Sequence, residues 1–209
     1  MNIKIKQQEF VLHPYGSMFW IEENSLIVAD LHLGKIEHFR KHGSALPDLS
    51  NAVDYIHLEE NIAEFKPDSV IFLGDLFHST LNKSWQIFEN WIKRQPVNFT
   101  LIVGNHDIIP VSKFKELGFN VIQDLKKSGF CLTHKPEDTE EDFNLCGHIH
   151  PGFKLRGKGR QQLNLSCFYQ KENQLILPAY GSFTGNYYVK PEENEHIYVT
   201  SENSVLQVV

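Results

Sequence analysis

The chain predicts an α/β domain with two packed central β-sheets flanked by helices, and three observations support this fold class. Short apolar runs typical of strands recur along the sequence. Helical patterns separate the early runs, which indicates a sheet covered by helices. After His148 the runs are divided by Gly, Pro and Asn turns without a convincing helix. This change favours a second, largely antiparallel sheet packed on the first.

The strand-like runs fall into an early and a late group. The early runs are Met18–Glu22, Leu26–Ala29, Ser69–Leu73, Phe99–Val103, Phe130–Thr133 and Phe143–Cys146. The late runs are Phe153–Arg156, Leu163–Tyr169, Gln174–Leu177, His196–Thr200 and Val205–Val209. The late group is the one expected in the second sheet.

Two helices are predicted between the early strands. The first spans Asn51–Phe65 and is stopped by Pro67. Its apolar residues at helical spacing are Ala52, Val53, Ile56 and Ala63. The second spans Asn82–Gln95 and is ended by Pro96. One face of it carries Trp85, Phe88 and Ile92.

Length and composition are those of one globular domain spanning residues 1–209. Apolar residues make up 41% of the chain and charged residues 22%. The net charge of −6 argues against a strong non-specific nucleic-acid binder, because such binding depends largely on neutralising phosphates. An enzyme that touches nucleic acid locally stays compatible with this charge.

The sequence also predicts a cytoplasmic protein without membrane association. No apolar run approaches the roughly 18 residues of a membrane span, and the N-terminal residues alternate between apolar and charged without a signal-peptide core. The cysteines are odd in number, unclustered and in apolar surroundings, which predicts reduced core thiols. They are Cys131, Cys146 and Cys167.

Five short segments together supply the donors of a dinuclear metal site. The segments are Asp30-Leu-His32, Gly74-Asp75, Gly104-Asn105-His106-Asp107, His134 and Gly147-His148-Ile149-His150. They offer two Asp, one Asn and four His as donors, with one further histidine to spare. Two divalent ions about 3.5–4 Å apart need roughly this set, with one carboxylate bridging them. The inventory indicates hydrolysis of a phosphate ester.

The positions of the donors support this interpretation. Asp30, Asp75 and Asn105 each follow an apolar strand-like run, and sites gather beyond the carboxyl ends of strands in open α/β sheets. Asp and Asn also favour strand ends as turn residues. Three segments with the same layout nevertheless favour a shared site.

Individual donors suit particular places in such a site. Asp30 and His32 are two residues apart, so both can reach one ion as the chain leaves a strand. Asp75 has two oxygens for bridging, and Gly74 before it permits close approach of the backbone. Asn105 adds a neutral oxygen that does not repel an anionic substrate.

The ordered blocks D-x-H, GD, GNHD, H and GHxH resemble the calcineurin-like metallophosphoesterase superfamily from Asp30 to His150. The resemblance implies a four-layer sandwich with the two sheets at its centre. It implies one ion held by Asp30, His32, Asp75 and His150. It implies a second ion held by Asp75, Asn105, His134 and His148. His106 would be the general acid.

Longer stretches are similar to a small prokaryotic branch, the ligase-associated DNA damage response endonucleases. They are Ala29–Lys35, His38–Arg40, Leu73–Ser79 and Leu177–Gly185. This resemblance implies a manganese-dependent nuclease in DNA repair, with functional association with a DNA ligase and a helicase. The donor set also suits Fe²⁺ or Zn²⁺, and the lack of cysteine ligands argues against a structural zinc site.

The implied mechanism is in-line attack on phosphorus by a hydroxide that bridges the two metals. His106 would protonate the leaving alkoxide, a contribution of about 10²–10⁴-fold. His78 stands where many members of the superfamily have an Asp that orients this histidine. His78 therefore either contacts substrate or fills space, and Asp107 or a backbone carbonyl is left to position His106.

Candidate substrate-binding residues are basic. Four cations alternate directly after the last metal histidine, and they are Lys154, Arg156, Lys158 and Arg160. A hairpin would place them on one face, either as an exposed charged surface or as a track for a phosphate backbone. Arg40, on a predicted helix, either faces the site or is solvated.

Three functions are compatible with these features. The leading hypothesis is a metal-dependent phosphodiesterase or nuclease that acts on DNA. A small-molecule phosphatase or nucleotide pyrophosphatase would need only a tight pocket, and the acidic net charge favours it modestly. A scaffold that has lost its activity is disfavoured because all seven donors and His106 are present.

Overall fold

The structure is a computed structural model that describes residues 1–35, 49–78, 81–159 and 161–209. It contains two packed β-sheets of mixed direction with helices, which confirms the predicted fold class. Most predicted strand ends agree with the observed ones within one or two residues. None of the helices in the described ranges is long and apolar enough to cross a bilayer.

The first sheet has seven strands in the order β1 to β7. They are β1 (Asn2–Ile5), β2 (Gln8–Leu12), β3 (Met18–Trp20), β4 (Ser25–Val28), β5 (Ser69–Leu73), β6 (Asn98–Ile102) and β7 (Asn120–Ile122). Strands β1 to β4 form an antiparallel meander, whereas β4 to β7 run parallel. The carboxyl ends of β4, β5 and β6 consequently lie at one edge.

The second sheet contains the other nine strands, along the path β14-β11-β12-β13-β10-β9-β8, with β15 paired to β12 and β16 to β15. They are β8 (Leu125–Lys127), β9 (Phe130–Leu132), β10 (Phe143–Cys146), β11 (Pro151–Arg156), β12 (Gln162–Lys171), β13 (Gln174–Ile176), β14 (Tyr187–Tyr188), β15 (His196–Thr200) and β16 (Val205–Gln207). Strands β9, β10 and β13 are parallel neighbours, and most other pairs are antiparallel. The second sheet therefore begins at β8, before His148. It starts earlier in the chain than the change in sequence pattern after His148 predicts.

Three described helices are α1 (Leu49–Phe65), α2 (Lys83–Ile92) and α3 (Val111–Glu116). Helix α2 begins after Asn82, whose side chain accepts a hydrogen bond from the Ser84 amide at 2.8 Å. It buries Trp85, Phe88 and Ile92, as its sequence pattern predicts. Helix α3 is too short to give a helical pattern in the sequence.

The apolar face predicted for α1 is wrong. Ala52, Val53, Ile56 and Ala63 are all exposed, and Ile56 retains 50% of its accessible surface. The buried face instead combines Leu58 and Ile62 with two polar residues, Asp54 and Asn61. Because these two find hydrogen-bond partners inside the protein, burial does not leave them unsatisfied.

Two of the three clusters of buried apolar residues among the described residues lie between layers of the structure. One lies between the first sheet and the helices, where Val28, Phe72 and Leu101 meet Leu58 and Phe88. The other lies between the sheets and contains Ile27, Ile71, Leu73, Leu132, Leu145, Phe168 and Leu177. The three cysteines are free and buried, in agreement with the sequence prediction.

Candidate metal centre

The candidate ligands lie where strand ends from both sheets meet. Asp30, Asp75 and Asn105 follow β4, β5 and β6 of the first sheet, and His134 and His148 follow β9 and β10 of the second. Parallel strands within each sheet bring these ends to a common edge. The packing of the sheets then closes the two sets of loops over one another.

One cluster contains Asp30, His32 and His150, whose candidate ligand atoms lie within 4.8 Å of one another. The Nε2 atoms of His32 and His150 are 3.4 Å apart, and Asp30 Oδ1 lies 3.3 Å from the Nε2 of His150. Asp30 is completely buried. Burial lowers the pKa of His32 to about 2, so this imidazole is neutral and keeps a lone pair for a cation.

A second cluster contains Asp75, His134 and His148, again within 4.8 Å. His134 Nε2 lies 2.9 Å from Asn105 Oδ1, 3.1 Å from His148 Nδ1 and 3.4 Å from Asp75 Oδ1. Burial lowers the pKa of His148, so its imidazole is also available as a neutral donor. The structure groups Asp75 with this cluster, whereas the resemblance also implies a bond from Asp75 to the first ion.

Backbone contacts fix these side chains. His134 Nδ1 lies 2.9 Å from the carbonyl oxygen of Leu73, which directs Nε2 toward the other donors. The amide of His148 donates to Asp30 Oδ2 at 2.7 Å, and the amide of His106 donates to Asp75 Oδ1 at 2.8 Å. The contacts of His134 with Leu73 and of His148 with Asp30 join loops of the second sheet to loops of the first.

Five candidate ligands have a left-handed backbone. They are Asp30, His32, Asp75, His148 and His150, with φ between 49° and 69°. This conformation costs non-glycine residues free energy and is found at functional sites whose surroundings enforce it. Half of the ten described non-glycine residues with positive φ therefore belong to the candidate metal centre.

Glycines next to the ligands permit this packing. A Cβ atom on Gly74 would overlap His134, one on Gly104 would overlap Asp75, and one on Gly147 would overlap Asp30. A larger residue at any of the three would therefore displace a candidate ligand. These contacts account for glycine in the Gly-Asp, Gly-Asn-His-Asp and Gly-His blocks.

The donor chemistry fits divalent cations. Asp30 Oδ1 is buried and has no hydrogen-bond partner among the described residues, which is costly unless a cation satisfies it. Imidazole nitrogens lie against one another and against carboxylate oxygens at 3.1–3.4 Å. The two adjacent clusters of mixed nitrogen and oxygen donors fit a dinuclear centre.

The predicted catalytic residues lie beside the clusters. The His106 side chain is exposed, and its ring centroid is 4.9 Å from that of His78 and 6.0 Å from that of His32. The Asp107 carboxylate accepts hydrogen bonds from the amides of Gly104 and Phe77 at 2.8 and 3.2 Å. Asp107 thus holds the loop that carries Asn105 and His106.

The predicted substrate-binding residues are partly described. Lys154, Arg156 and Lys158 are exposed on the hairpin formed by β11 and β12. Arg40 and Arg160 lie outside the described residues.

Lys35 is a further candidate site residue that the sequence pattern did not identify. It is half-buried, and burial lowers its pKa while the charge of Asp30 opposes this shift. The signal available was its position in the same short block as Asp30 and His32.

A second set of residues that the sequence pattern did not identify holds the loop that carries Asp30. The amides of Tyr180 and Gly181 donate to the carbonyls of Ala29 and Asp30 at 2.9 and 3.3 Å. Next in the chain, Ser182 donates through its amide and hydroxyl to Asp54 Oδ1 at 3.0 and 2.6 Å. In the sequence, the block Leu177–Gly185 is marked only by its family resemblance, because its hydrogen bonds to Ala29, Asp30 and Asp54 join distant segments.

Known proteins are similar to this chain in sequence and fold. Residues 24–195 match the family model of the calcineurin-like phosphoesterases. The crystal structure of the Pseudomonas putida nuclease MPE is similar at 27% sequence identity and a TM-score of 0.83, covering 100% of this chain and 99% of that chain. An E. coli phosphoesterase, Yfce, matches at 16% identity and a TM-score of 0.44 over 88% of this chain and 97% of that one. The comparison with curated protein sequences gave no match.

The family match extends across all the candidate ligands, from Asp30 to His150. The structural similarity to the Pseudomonas putida protein covers the whole of this chain. The chain therefore belongs to the calcineurin-like phosphoesterase family and is a metal-dependent phosphoric ester hydrolase.

Proposed function

We propose that this protein is a dinuclear-metal phosphodiesterase that cleaves DNA. The observation that carries the proposal is the pair of adjacent donor clusters at an edge where Asn105 and His106 are exposed. An open site accepts a phosphate within a long chain, whereas a small phosphomonoester is best held in an enclosing pocket. Similarity along the whole chain to a protein described as a nuclease supports the same choice.

In this proposal, a first ion would be held by Asp30, His32 and His150. A second would be held by Asp75, Asn105, His134 and His148, and the family resemblance implies that Asp75 would also be a ligand of the first. When bound, two divalent cations lower the pKa of water and neutralise charge on phosphoryl oxygens. Carboxylate, amide and imidazole donors without thiolate suit Mn²⁺, with Fe²⁺ or Zn²⁺ as alternatives.

His106 is the proposed general acid. Its exposed ring can hold a proton for the departing alkoxide, while its amide remains bonded to Asp75 at 2.8 Å. Asp107 positions this loop through the amides of Gly104 and Phe77. In this proposal His78, whose ring centroid is 4.9 Å from that of His106, would contact the substrate on the same side.

The second part of the proposal concerns the cellular process in which the enzyme acts. The sequence blocks that resemble ligase-associated DNA damage response endonucleases support a role in DNA repair, in association with a DNA ligase and a helicase. Co-purification of the chain with a ligase or helicase from its own source tests this part separately from the chemistry.

The test of the chemistry compares two small substrates. We expect Mn²⁺-dependent kcat/KM to be higher for bis-p-nitrophenyl phosphate, a diester, than for p-nitrophenyl phosphate, a monoester. Asp75→Asn, which removes the shared carboxylate charge, should abolish both activities. A monoester preference would instead support the alternative of a small-molecule phosphatase. Activity that survives in Asp75→Asn would contradict the proposed metal centre.

A further inference from the structure

The hairpin of β11 and β12 carries a concentration of positive charge in an acidic protein. From Pro151 to Lys171 the sequence has five Lys or Arg residues and no Asp or Glu, although the chain as a whole has a net charge of −6. Lys154, Arg156 and Lys158 are exposed. None of the ion pairs among the described residues involves any of these three.

The register places the charges of the strand on one face. Lys154 lies opposite Asn164, and Arg156 lies opposite Gln162. Residues directly opposite each other in a β-pair project from the same face of the sheet. Asn164 and Gln162 are also exposed, so polar amides accompany the cations and no apolar side chain interrupts them.

An aromatic ring extends the same face toward the metal centre. Tyr188 on β14 lies opposite Gly152 on β11, two residues before Lys154. The Nζ atom of Lys154 is 4.6 Å from the centroid of the Tyr188 ring, in the range of a cation–π contact. Because Lys154 has this contact and no carboxylate partner among the described residues, binding an anion would not require breaking a described ion pair.

This face is connected directly to the proposed catalytic site. Strand β11 starts at the residue after His150, and the amide of Tyr187 donates to the carbonyl of His150 at 2.9 Å. Phe168, four residues after Asn164 on β12, projects from the same face and is buried in the core between the sheets. The face of the second sheet that packs on the first sheet therefore continues beyond the core. In that exposed part it carries Lys154 and Arg156.

We propose that this surface is a DNA-binding arm, defined by Lys154, Arg156 and Tyr188, which holds the strand next to the scissile phosphate. Lys154 and Arg156 contact successive stretches of the phosphate backbone. Tyr188 stacks on a base while the ammonium of Lys154 moves from the ring to a phosphate oxygen. The inference rests on the proposed DNA substrate and adds a site that sets preference for long strands.

The length of the arm sets the length of the preferred substrate. At about 3.3 Å per residue, Lys154 and Arg156 lie at most about 13 and 20 Å along the strand from His150. A DNA strand rises about 3.4 Å per nucleotide in a duplex, so these distances correspond to about four and six nucleotides. A trinucleotide should therefore be too short to use the arm, whereas a 20-nucleotide strand should use all of it.

The test uses a double variant, Lys154→Gln/Arg156→Gln, and a control that removes equal charge elsewhere. The control, Lys126→Gln/Lys127→Gln, lies on β8 at the opposite end of the same sheet path, where both lysines are exposed. Each variant is measured with a 20-nucleotide DNA, a trinucleotide and bis-p-nitrophenyl phosphate. Binding of the labelled 20-nucleotide DNA is followed by fluorescence anisotropy in Ca²⁺.

We expect the arm double variant to lower the ratio of kcat/KM for the long DNA to kcat/KM for bis-p-nitrophenyl phosphate by about tenfold or more. With a single-stranded 20-nucleotide DNA, the plot of log K against log salt should become shallower by about 1.4, from two lost phosphate contacts at about 0.7 each. Tyr188→Ala should weaken binding about fivefold or more, and Tyr188→Phe should not. The lysine control on β8 should leave the ratio near that of the wild type.

The proposed DNA-binding arm would be overturned by either of two results. One is an equal fall of the kcat/KM ratio in the two double variants. The other is an unchanged kcat/KM ratio in Lys154→Gln/Arg156→Gln. Failure of the proposed function is recognised differently: the wild type would hydrolyse bis-p-nitrophenyl phosphate and cleave no DNA. The anisotropy measurement then tests the proposed DNA-binding arm independently of cleavage. DNA binding that depends on Lys154 and Arg156 would support it, and binding that ignores them, or no binding, would overturn it.

Discussion

Asp30 and His150, 120 positions apart in the chain, face each other with Oδ1 and Nε2 only 3.3 Å apart. Both have a left-handed backbone, with φ values of 53° and 52°. The other oxygen of Asp30 accepts a hydrogen bond from the amide of His148 at 2.7 Å. The contact joins the first sheet to the second, so the candidate metal centre also fastens the two sheets together.

The general-acid role of His106 predicts an effect that depends on the leaving group. His106→Asn should lower kcat on DNA by about 10²–10⁴-fold. The loss on bis-p-nitrophenyl phosphate should be smaller, because p-nitrophenolate leaves without a proton. Bound Mn²⁺ should be unchanged, since the loop is held by the amide of residue 106. Equal losses on both substrates would contradict the assignment.

The packing of Gly104 predicts a large effect from one methyl group. In Gly104→Ala the new Cβ would overlap the amide nitrogen and Oδ1 of Asp75, so Asp75 must shift from its position in the second cluster. We expect at least a tenfold loss in Mn²⁺ affinity, as found when the support of a metal ligand is disturbed. Gly185→Ala is the matched control because its Cβ would meet nothing within 4 Å. Similar Mn²⁺ titration curves for Gly104→Ala and Gly185→Ala would contradict the conclusion that glycine at position 104 is required to position Asp75.

Removal of metal should destabilise the protein. Asp30 and Asp75 are buried, and without cations their charges are poorly compensated. Mn²⁺ at 100 times its Kd should add about 2.7 kcal/mol per ion to the free energy of unfolding. For a chain of this size this raises Tm by about 5–10 °C per ion. Thermal denaturation with Mn²⁺ and with excess chelator measures the difference, and coincident curves would speak against cation binding in these clusters.

Asp54 predicts a pH dependence of stability. Burial raises the pKa of this carboxyl to about 6 from an ordinary value of 3.8. The folded protein thus binds the proton more tightly than the unfolded chain, so this group lowers stability as pH rises from about 4 to 6. The shift corresponds to roughly 3 kcal/mol.

The variant Asp54→Asn keeps an oxygen for Ser182 and removes the titration. Its free energy of unfolding relative to wild type should therefore rise from pH 4 to pH 7 by up to roughly 3 kcal/mol. Denaturant unfolding at the two pH values tests this. A pH-independent difference between the two proteins would show that Asp54 does not titrate as its burial requires.

The convergence of the candidate ligands Asp30, Asp75 and Asn105 depends on a local sequence pattern. Asp30, Asp75 and Asn105 each follow an apolar run, and the parallel order of β4, β5 and β6 brings such ends together. The left-handed backbone of Asp30 and His150 could not be predicted, because neither residue is a glycine. It is enforced by contacts between the sheets, such as that of His148 with Asp30.

The orientation of α1 shows why the rest of the fold was harder to predict. Its sequence pattern favoured a face with Val53 and Ile56, yet both are exposed. The helix instead buries Asp54 and Asn61, which bond to Ser182 and Ser17. Hydrophobic periodicity cannot detect a buried face whose polar residues are satisfied by distant segments.

The most direct test of the central claim, that the two clusters together hold two divalent ions, is the number of Mn²⁺ ions bound per chain at equilibrium. Dialysis against Mn²⁺ followed by elemental analysis should give two ions for the wild type. Asp30→Asn, which removes the carboxylate charge of the first cluster, should give one. A wild-type value of one or none, or an Asp30→Asn protein that still binds two ions, would contradict the dinuclear centre.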